Sequence, residues 1–271
     1  MTLDEGRLAA PRVDDLTETL ALERIDSDLF RSTFLQVEDY SLYGGQVAAQ
    51  ALAAAGATVP VGRVPHSLHG YFLRPGAAHR PTILHVRSDR DGRTVSSRRV
   101  IATQHGQVIF NMAASFGEDV GEAFDQHVGA PEIAAPEELP EHTLHRYPTV
   151  EIRAEGALPS NGLPHRFWAR SRRALPSDAL MHACALTYIS DLSTGMRLGP
   201  GLAPMASVDH ALWVHHIPRV DDWLLVDLVG QVRAGRRGLY TGSIFTSDGR
   251  LAATLAQEML IRRTEAGGQA R

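Results

Sequence analysis

Lysine is absent from this chain of 271 residues: all 27 basic residues are arginine, which excludes Schiff-base and other lysine-dependent covalent chemistry. A single cysteine, Cys184, leaves no internal disulfide and no CxxC zinc site. No apolar run approaches the roughly 18 residues a membrane-spanning helix needs. The first 25 residues contain acids and no apolar core, so no secretory signal is expected and the expected compartment is the cytoplasm. The net charge of −4 provides no basic footprint for nucleic acid. There is no Gly-x-Ser-x-Gly elbow, no His-Glu-x-x-His and no phosphate-cradling loop, and the 13 histidines are scattered. Serine-nucleophile and zinc hydrolysis are therefore disfavoured.

The composition is that of an ordinary globular protein, with 44% apolar and 21% charged residues. Its most informative stretch is the hairpin Leu239 to Arg262. In the second strand Leu251, Ala253, Leu255, Met259 and Ile261 share one face at period two. Gln257 falls on that same apolar face. A buried amide left unpaired costs about 1–3 kcal/mol, so it requires partners, whether for packing or for chemistry. The hairpin occurs twice. Shifted by 143 residues without gaps, Arg90–Phe116 lies on Arg233–Met259, Gly106 meets Gly249, and Ala114 takes the place of Gln257. Duplication with a polar group in only one copy points to a second copy that carries the chemistry.

In chain order, residues 1–12 read as a loose tail, and Val13–Arg31 as a short helix and a first strand. Gln46–Thr58, rich in alanine and preceded by Gly44-Gly45, reads as a buried helix with accessible backbone N–H groups at its start. Strands follow at His66–Arg74 and Thr82–Asp89, then the first hairpin. Gly117–Glu141 contains eight acids, three prolines and no arginine, the texture of a solvated linker. A second small-residue helix follows Pro176, with Ser177 as its expected N-cap, and runs to about Thr194. Gly195–Ala206 is rich in Gly and Pro, and strands Asp209–Ile217 and Trp223–Arg233 precede the second hairpin. The expected units are 13–117, a linker over 118–147, and 148–264. Pattern alone gives a duplicated α+β module.

Several motifs carry a more specific resemblance. They are Asp28-Leu29-Phe30-Arg31, Gly44-Gly45-Gln46-Val47, Val64-Pro65-His66-Ser67-Leu68-His69, Tyr71-Phe72-Leu73-Arg74-Pro75-Gly76 and Ser97-Arg98-Arg99-Val100. The second half adds Ser207-Val208-Asp209-His210-Ala211-Leu212-Trp213, Asp222-Trp223-Leu224-Leu225 and Gln257-Glu258. Spanning residues 20 to 263 in this order, the chain resembles the acyl-CoA thioesterase II family. The resemblance implies a double hotdog fold, two helices each wrapped by antiparallel sheet. It also implies cofactor-free, metal-free hydrolysis of medium- or long-chain fatty acyl-CoA, with association into a homodimer or homotetramer.

The family's site is an aspartate, a threonine or serine, and a glutamine holding a water against the thioester. Carried over, the aspartate is Asp209 and the glutamine is Gln257. Gln231, eight residues after Trp223, stands in the hydroxyl slot. Of these three only Asp209 can ionise, which makes it the general base; the counterparts in the first copy are His66, Ser88 and Ala114. A backbone N–H at Gly44–Gln46, with Gly45 the named candidate, is an expected oxyanion donor. His66, His69 and His210 are read as neighbours of the site or as structural histidines. Arg233, Arg236 and Arg237, or Arg98 and Arg99, either hold coenzyme A phosphates or form a solvated sheet edge. Two rivals are a hotdog hydratase, whose Gly-Asp-x-Asn-Pro-type loop is missing, and a non-catalytic acyl-CoA sensor with Gln231 as the lesion.

Overall fold

The computed structural model describes residues 14–36, 41–118, 125–158, 163–196, 198–199 and 201–264. The expected N-terminal tail lies outside these residues, as do 119–124 of the expected linker.

The first half runs α1 (Leu16–Leu20), β1 (Leu22–Arg24), β2 (Leu29–Ser32), α2 (Gly44–Gly56), β3 (Arg63–Phe72), β4 (Ile83–Asp91), β5 (Val95–Gln104) and β6 (Gln107–Glu118). The second runs β7 (Val150–Arg153), β8 (Arg166–Ser171), α3 (Ala179–Ser190), β9 (Leu202–Ser207), β10 (Asp209–Val214), β11 (Leu224–Ala234), β12 (Arg237–Thr246) and β13 (Leu251–Arg263). All paired strands are antiparallel and belong to one sheet, in the order β1-β2-β4-β5-β6-β3-β10-β13-β12-β11-β8-β7. The two halves join where β3 pairs with β10, with Leu68 opposite Leu212. β9 pairs with β13 beyond the end of β10. Two helix-plus-sheet units fused edge to edge make the double hotdog.

The repeated hairpins turn alike. Gly106 and Gly249 have φ of +72° and +85°, a left-handed conformation that disfavours side chains. Parity on β13 follows the sequence pattern, because Ala253, Leu255, Gln257, Met259 and Ile261 are all buried.

Helices α2 and α3 lie against each other in opposite directions. The start of α2 meets the end of α3, since a Cβ added to Gly45 would lie 2.6 Å from the Tyr188 carbonyl oxygen. The end of α2 meets the start of α3, since a Cβ on Gly56 would lie 2.4 Å from Leu180. Glycine and alanine on α2 are what allow this approach. The consequence for function is positional. The residue that ends α3 is delivered to the N-terminus of α2, from the other half of the chain.

Three expectations change. The N-cap of α3 is Asp178, not Ser177: its carboxylate accepts the backbone N–H of Met181 at 3.0 Å. Strands β7, β8 and β9 arise where no strand was expected; all of β9 except its last residue, Ser207, lies within the Gly- and Pro-rich segment. Finally, the acidic segment is no free tether over its described part. Leu139 packs with Trp168, Leu225 and Phe245, and Ile133 and Ala134 pack against that cluster. The Trp168 indole donates to the Ala134 carbonyl at 3.0 Å, and Gln126 accepts the Leu251 N–H at 2.7 Å. The apolar residues interspersed among the acids supply this footing.

Candidate active site

Gln257 enters the core from β13 and is 1% exposed. Its amide nitrogen donates twice, to Asp191 Oδ1 at 2.9 Å and to Ser207 Oγ at 2.7 Å. Its amide oxygen accepts from His210 Nδ1. Every hydrogen-bonding position of this buried amide facing a protein group is used, which answers the cost of placing it there. Asp191 is the C-cap of α3, Ser207 is the last residue of β9, and His210 is the second residue of β10. Four elements thus converge on one side chain.

Asp191 occupies an unusual electrostatic position. An acid at the end of its own helix faces the negative end of that helix's dipole. The antiparallel packing compensates by presenting the start of α2, and Asp191 accepts a backbone hydrogen bond from Gly45. Its carboxylate is so close that a Cβ on Gly44 would lie 2.6 Å from Asp191 Oδ2. Although partly reached by solvent from the cavity, Asp191 is densely surrounded, and burial raises its pKa above the ordinary carboxylate value of 3.8. The His210 ring, the Gln257 amide and the Gly45 N–H act in the opposite direction without cancelling it.

The same groups open onto a cavity of about 1120 Å³ whose wall includes Gly44, Asp191, Ser207 and Gln257. Ile109, Leu144, Leu163 and Leu192 give it apolar lining, and Arg74, Arg146 and Arg237 also border it. Ser207 accepts from Gln257 and keeps its own hydroxyl proton to donate. A carboxylate, a hydroxyl and an amide therefore meet at a solvent-accessible apolar cavity. That combination can orient a water, take its proton, and donate to developing charge. Among the described residues no cluster of three or more His, Cys, Asp or Glu could hold a metal.

The sequence-derived candidates distribute unevenly over this geometry. Gln257 is at its centre. Asp209 is adjacent in sequence to His210 but on the other face of β10, where Asp209, Ala211 and Trp213 alternate with buried His210, Leu212 and Val214. Its carboxylate accepts the Glu258 backbone N–H at 2.7 Å and contributes nothing to the cavity wall. Gln231 is exposed on β11, where its amide donates to Thr241 Oγ1 at 2.7 Å. It lines a separate cavity of about 710 Å³ together with Arg233, Glu132, Glu155 and Asp227. Arg233 is thereby placed among acids, away from Asp191 and Gln257.

Gly45 does reach the site, but its N–H is committed to Asp191. His66 does not: the register between β3 and β6 shifts between Pro65 and Ser67, and this irregularity leaves His66 exposed. Arg98 is 2% exposed and fully occupied, donating to Thr58 Oγ1 and O at 2.8 Å and pairing with Asp91 at 2.9 Å. It ties the end of α2 to the sheet. Arg99 pairs with Asp89 at 2.8 Å. Of the expected phosphate ligands, Arg237 borders the cavity, where it also pairs with Glu258 at 3.2 Å.

Asp191, Ser207 and the supporting His210–Ser190 contact went unassigned in the sequence. One signal for Asp191 was present: an acid directly after an apolar helix, at the end its dipole disfavours.

Comparison with known proteins agrees with this architecture. Residues 36–117 match the N-terminal domain of acyl-CoA thioesterase and residues 125–261 match its C-terminal domain. Human acyl-coenzyme A thioesterase 8 is 35% identical over 91% of this chain and 88% of its own length. The crystal structure of an acyl-CoA thioesterase II, TesB2, from Mycobacterium marinum superposes with a TM-score of 0.74 at 34% identity, covering 92% of this chain and 98% of that one. A hot dog fold protein from Alicyclobacillus acidocaldarius, 18% identical, superposes with a TM-score of 0.75 over 92% of this chain and 98% of its own, a likeness of fold alone. With both domains matched in order, and relatives aligned over nine-tenths of its length, the chain belongs to the acyl-CoA thioesterase family of double hotdog thioester hydrolases.

Proposed function

We propose that the protein hydrolyses medium- or long-chain fatty acyl-CoA with Asp191 as general base and with Ser207 and Gln257 positioning the attacking water. The observation that carries this reading is the Gln257 amide joining Asp191 and Ser207 on the wall of one cavity. Water attacks the thioester carbonyl while its proton passes to the Asp191 carboxylate. The carbonyl electrons move onto oxygen, and the tetrahedral adduct collapses to the free acid with expulsion of coenzyme A thiolate, which takes the proton held by Asp191 and so regenerates the base. The Ser207 hydroxyl has a proton free to hold the water or the oxyanion. The first-turn N–H of Gly44, which borders the cavity and has no intrahelical acceptor, is the second donor. Cavity volume supports an extended acyl chain: about 1120 Å³ exceeds the roughly 300–1,000 Å³ of ordinary ligand pockets.

The sensor reading rested on Gln231 as a lesion in the hydroxyl slot. With Gln231 on the exposed part of β11 and Ser207 beside Gln257, that reading loses its support. Incubation with medium- and long-chain acyl-CoA and a thiol reagent tests the assignment. Continuous thiol release is expected; stoichiometric binding with no release would refute hydrolysis.

The change of general base makes a sharp prediction. Asp209→Asn retains an oxygen acceptor for the Glu258 N–H, and Gln231→Ala removes only surface contacts. Each variant should keep kcat/KM within about threefold of the parent, as is usual for substitutions that disturb no buried network. A collapse of turnover in Asp209→Asn would return the role of base to Asp209.

A further inference from the structure

Behind Gln257, on the side away from the cavity, lies a buried pair that the catalytic reading does not use. His210 is 1% exposed and Ser190 is 1% exposed. His210 Nδ1 meets the Gln257 amide oxygen, and His210 Nε2 lies 2.8 Å from Ser190 Oγ. Ser190 in turn lies 2.8 Å from the Thr187 carbonyl oxygen one turn back in α3. An imidazole buried beside an apolar helix needs such partners simply to be tolerated, so the question is whether the arrangement also serves the reaction.

Donor counting answers it. An amide can be turned over, exchanging its oxygen and nitrogen at little steric cost. Only one orientation of Gln257 gives the Asp191 carboxylate a hydrogen and leaves the Ser207 proton free. That orientation places the amide oxygen against His210 Nδ1, which must then carry hydrogen. The opposite orientation would set the amide oxygen against the carboxylate, two acceptors facing each other. We infer that His210, held by Ser190, is a positioning residue that locks the Gln257 amide with its nitrogen toward Asp191 and Ser207.

Ser190 contributes by engaging the second ring nitrogen: with the hydrogen on Nδ1, Nε2 accepts the Ser190 hydroxyl proton, which turns to the ring from the equally near Thr187 carbonyl, and ring rotation would break both contacts at once. The groups around the ring fit this role. Asp191 comes from the end of α3 and the Gln257 amide from β13, while Asp209 on β10 is turned to the opposite strand face. Neither His210 nor Ser190 borders the cavity. The role is therefore indirect, through the aim of Gln257.

The inference rests on the proposed Asp191–Ser207–Gln257 site, and the test separates the two. Four variants, Asp191→Asn, His210→Ala, His210→Asn and Ser190→Ala, are compared for kcat, KM and melting temperature on one long-chain acyl-CoA. His210→Asn restores an N–H near the Nδ1 position; His210→Ala does not. The expected result is a kcat decrease of about 10²-fold for His210→Ala, the scale of a misplacement of roughly 1 Å. KM should stay within about twofold, because the pair touches no substrate. His210→Asn should recover a substantial part of kcat, and Ser190→Ala should lower kcat by about 3–10-fold.

If Asp191→Asn is inactive while folded His210→Ala and Ser190→Ala turn over at parental rates, the locking role is wrong and the catalytic site stands. If His210→Ala and His210→Asn lose kcat equally with a parallel rise in KM, the role is structural and the inference fails. Should His210→Ala not fold, Ser190→Ala decides: an unchanged kcat overturns the proposal and a selective kcat loss supports it. Full activity in Asp191→Asn would instead remove the catalytic reading itself.

Discussion

Asp191→Asn is expected to lower kcat by about 10²–10⁴-fold, the usual contribution of a positioned general base, with substrate binding preserved. The substitution keeps side-chain volume and an oxygen able to accept from Gln257, and removes the capacity to take a proton. A stopped assay of thiol release against acyl-CoA concentration would show the loss in kcat and not in KM. Retention of more than about a tenth of the parental rate would be incompatible with Asp191 as the base, given that range.

The same carboxyl sets two pH dependences. Burial raises its pKa above 3.8 in the folded protein, with His210, Gln257 and the Gly45 N–H opposing. The acidic limb of kcat/KM should therefore lie above the ordinary aspartate range, and activity should rise as Asp191 loses its proton. For stability the sign is opposite. A carboxyl whose pKa is raised on folding contributes fully below its unfolded value, near 3.8, and that contribution is lost as pH rises through the folded value. At neutral pH the ionised carboxylate thus weighs against folding, and Asp191→Asn removes that burden. Its melting temperature should equal or exceed the parental one at pH 7–8, with the difference shrinking toward pH 4. A less stable Asn variant across this range would mean that the carboxylate is held there by favourable pairing that outweighs its burial.

The resemblance pointed to Asp209 while the geometry favours Asp191, and the difference is a matter of strand parity and chain distance. Gln257 was visible because an amide interrupts an apolar face of period two, and β13 buries it as that pattern requires. The turn glycines, the two small-residue helices and the paired hairpins were visible for similar local reasons. Asp191 is 66 residues from Gln257, and it follows a helix buried along nearly its whole length, so no amphipathic stripe marks a functional face. Asp209 took the role because it is the acid of the motif Ser207–Trp213 on which the family resemblance rests, and the one ionisable group among the three residues carried over. Yet Leu212 and Val214 had to point inward, and parity then carries His210 inward and Asp209 outward. Ser207 went unassigned because the hydroxyl slot was counted from Trp223 and fell on Gln231, although Ser207 opens the same motif as Asp209 and His210. His66 was misplaced by an irregularity between β3 and β6 that composition does not signal. The site itself is assembled by the antiparallel approach of α2 and α3, a tertiary relation between halves that no local pattern encodes.

Gln257→Ala and Gln257→Glu should fail in different ways, and the difference identifies what the amide does. Alanine removes both donations, to Asp191 and Ser207, and strips His210 Nδ1 of its acceptor. The loss of a positioned hydrogen-bond donor at the reacting centre predicts a kcat decrease of about 10²–10³-fold. The orphaned, buried imidazole adds a stability loss of about 1–3 kcal/mol. Glutamate keeps volume and keeps an acceptor for His210, so it should be less destabilising. It also sets a second carboxylate beside Asp191, at a contact that measures 2.9 Å with the native amide. Two carboxylates this close do not both ionise, and one retains a proton to higher pH. The acidic limb of kcat/KM should then move upward by more than about one pH unit in Gln257→Glu, whereas in Gln257→Ala, which removes only the amide hydrogen bond that holds the Asp191 pKa down, it should move upward by less and at a lower plateau. An unshifted limb in the glutamate variant would mean that the two side chains do not meet in the working enzyme, and the bridge between base and amide would have to be abandoned.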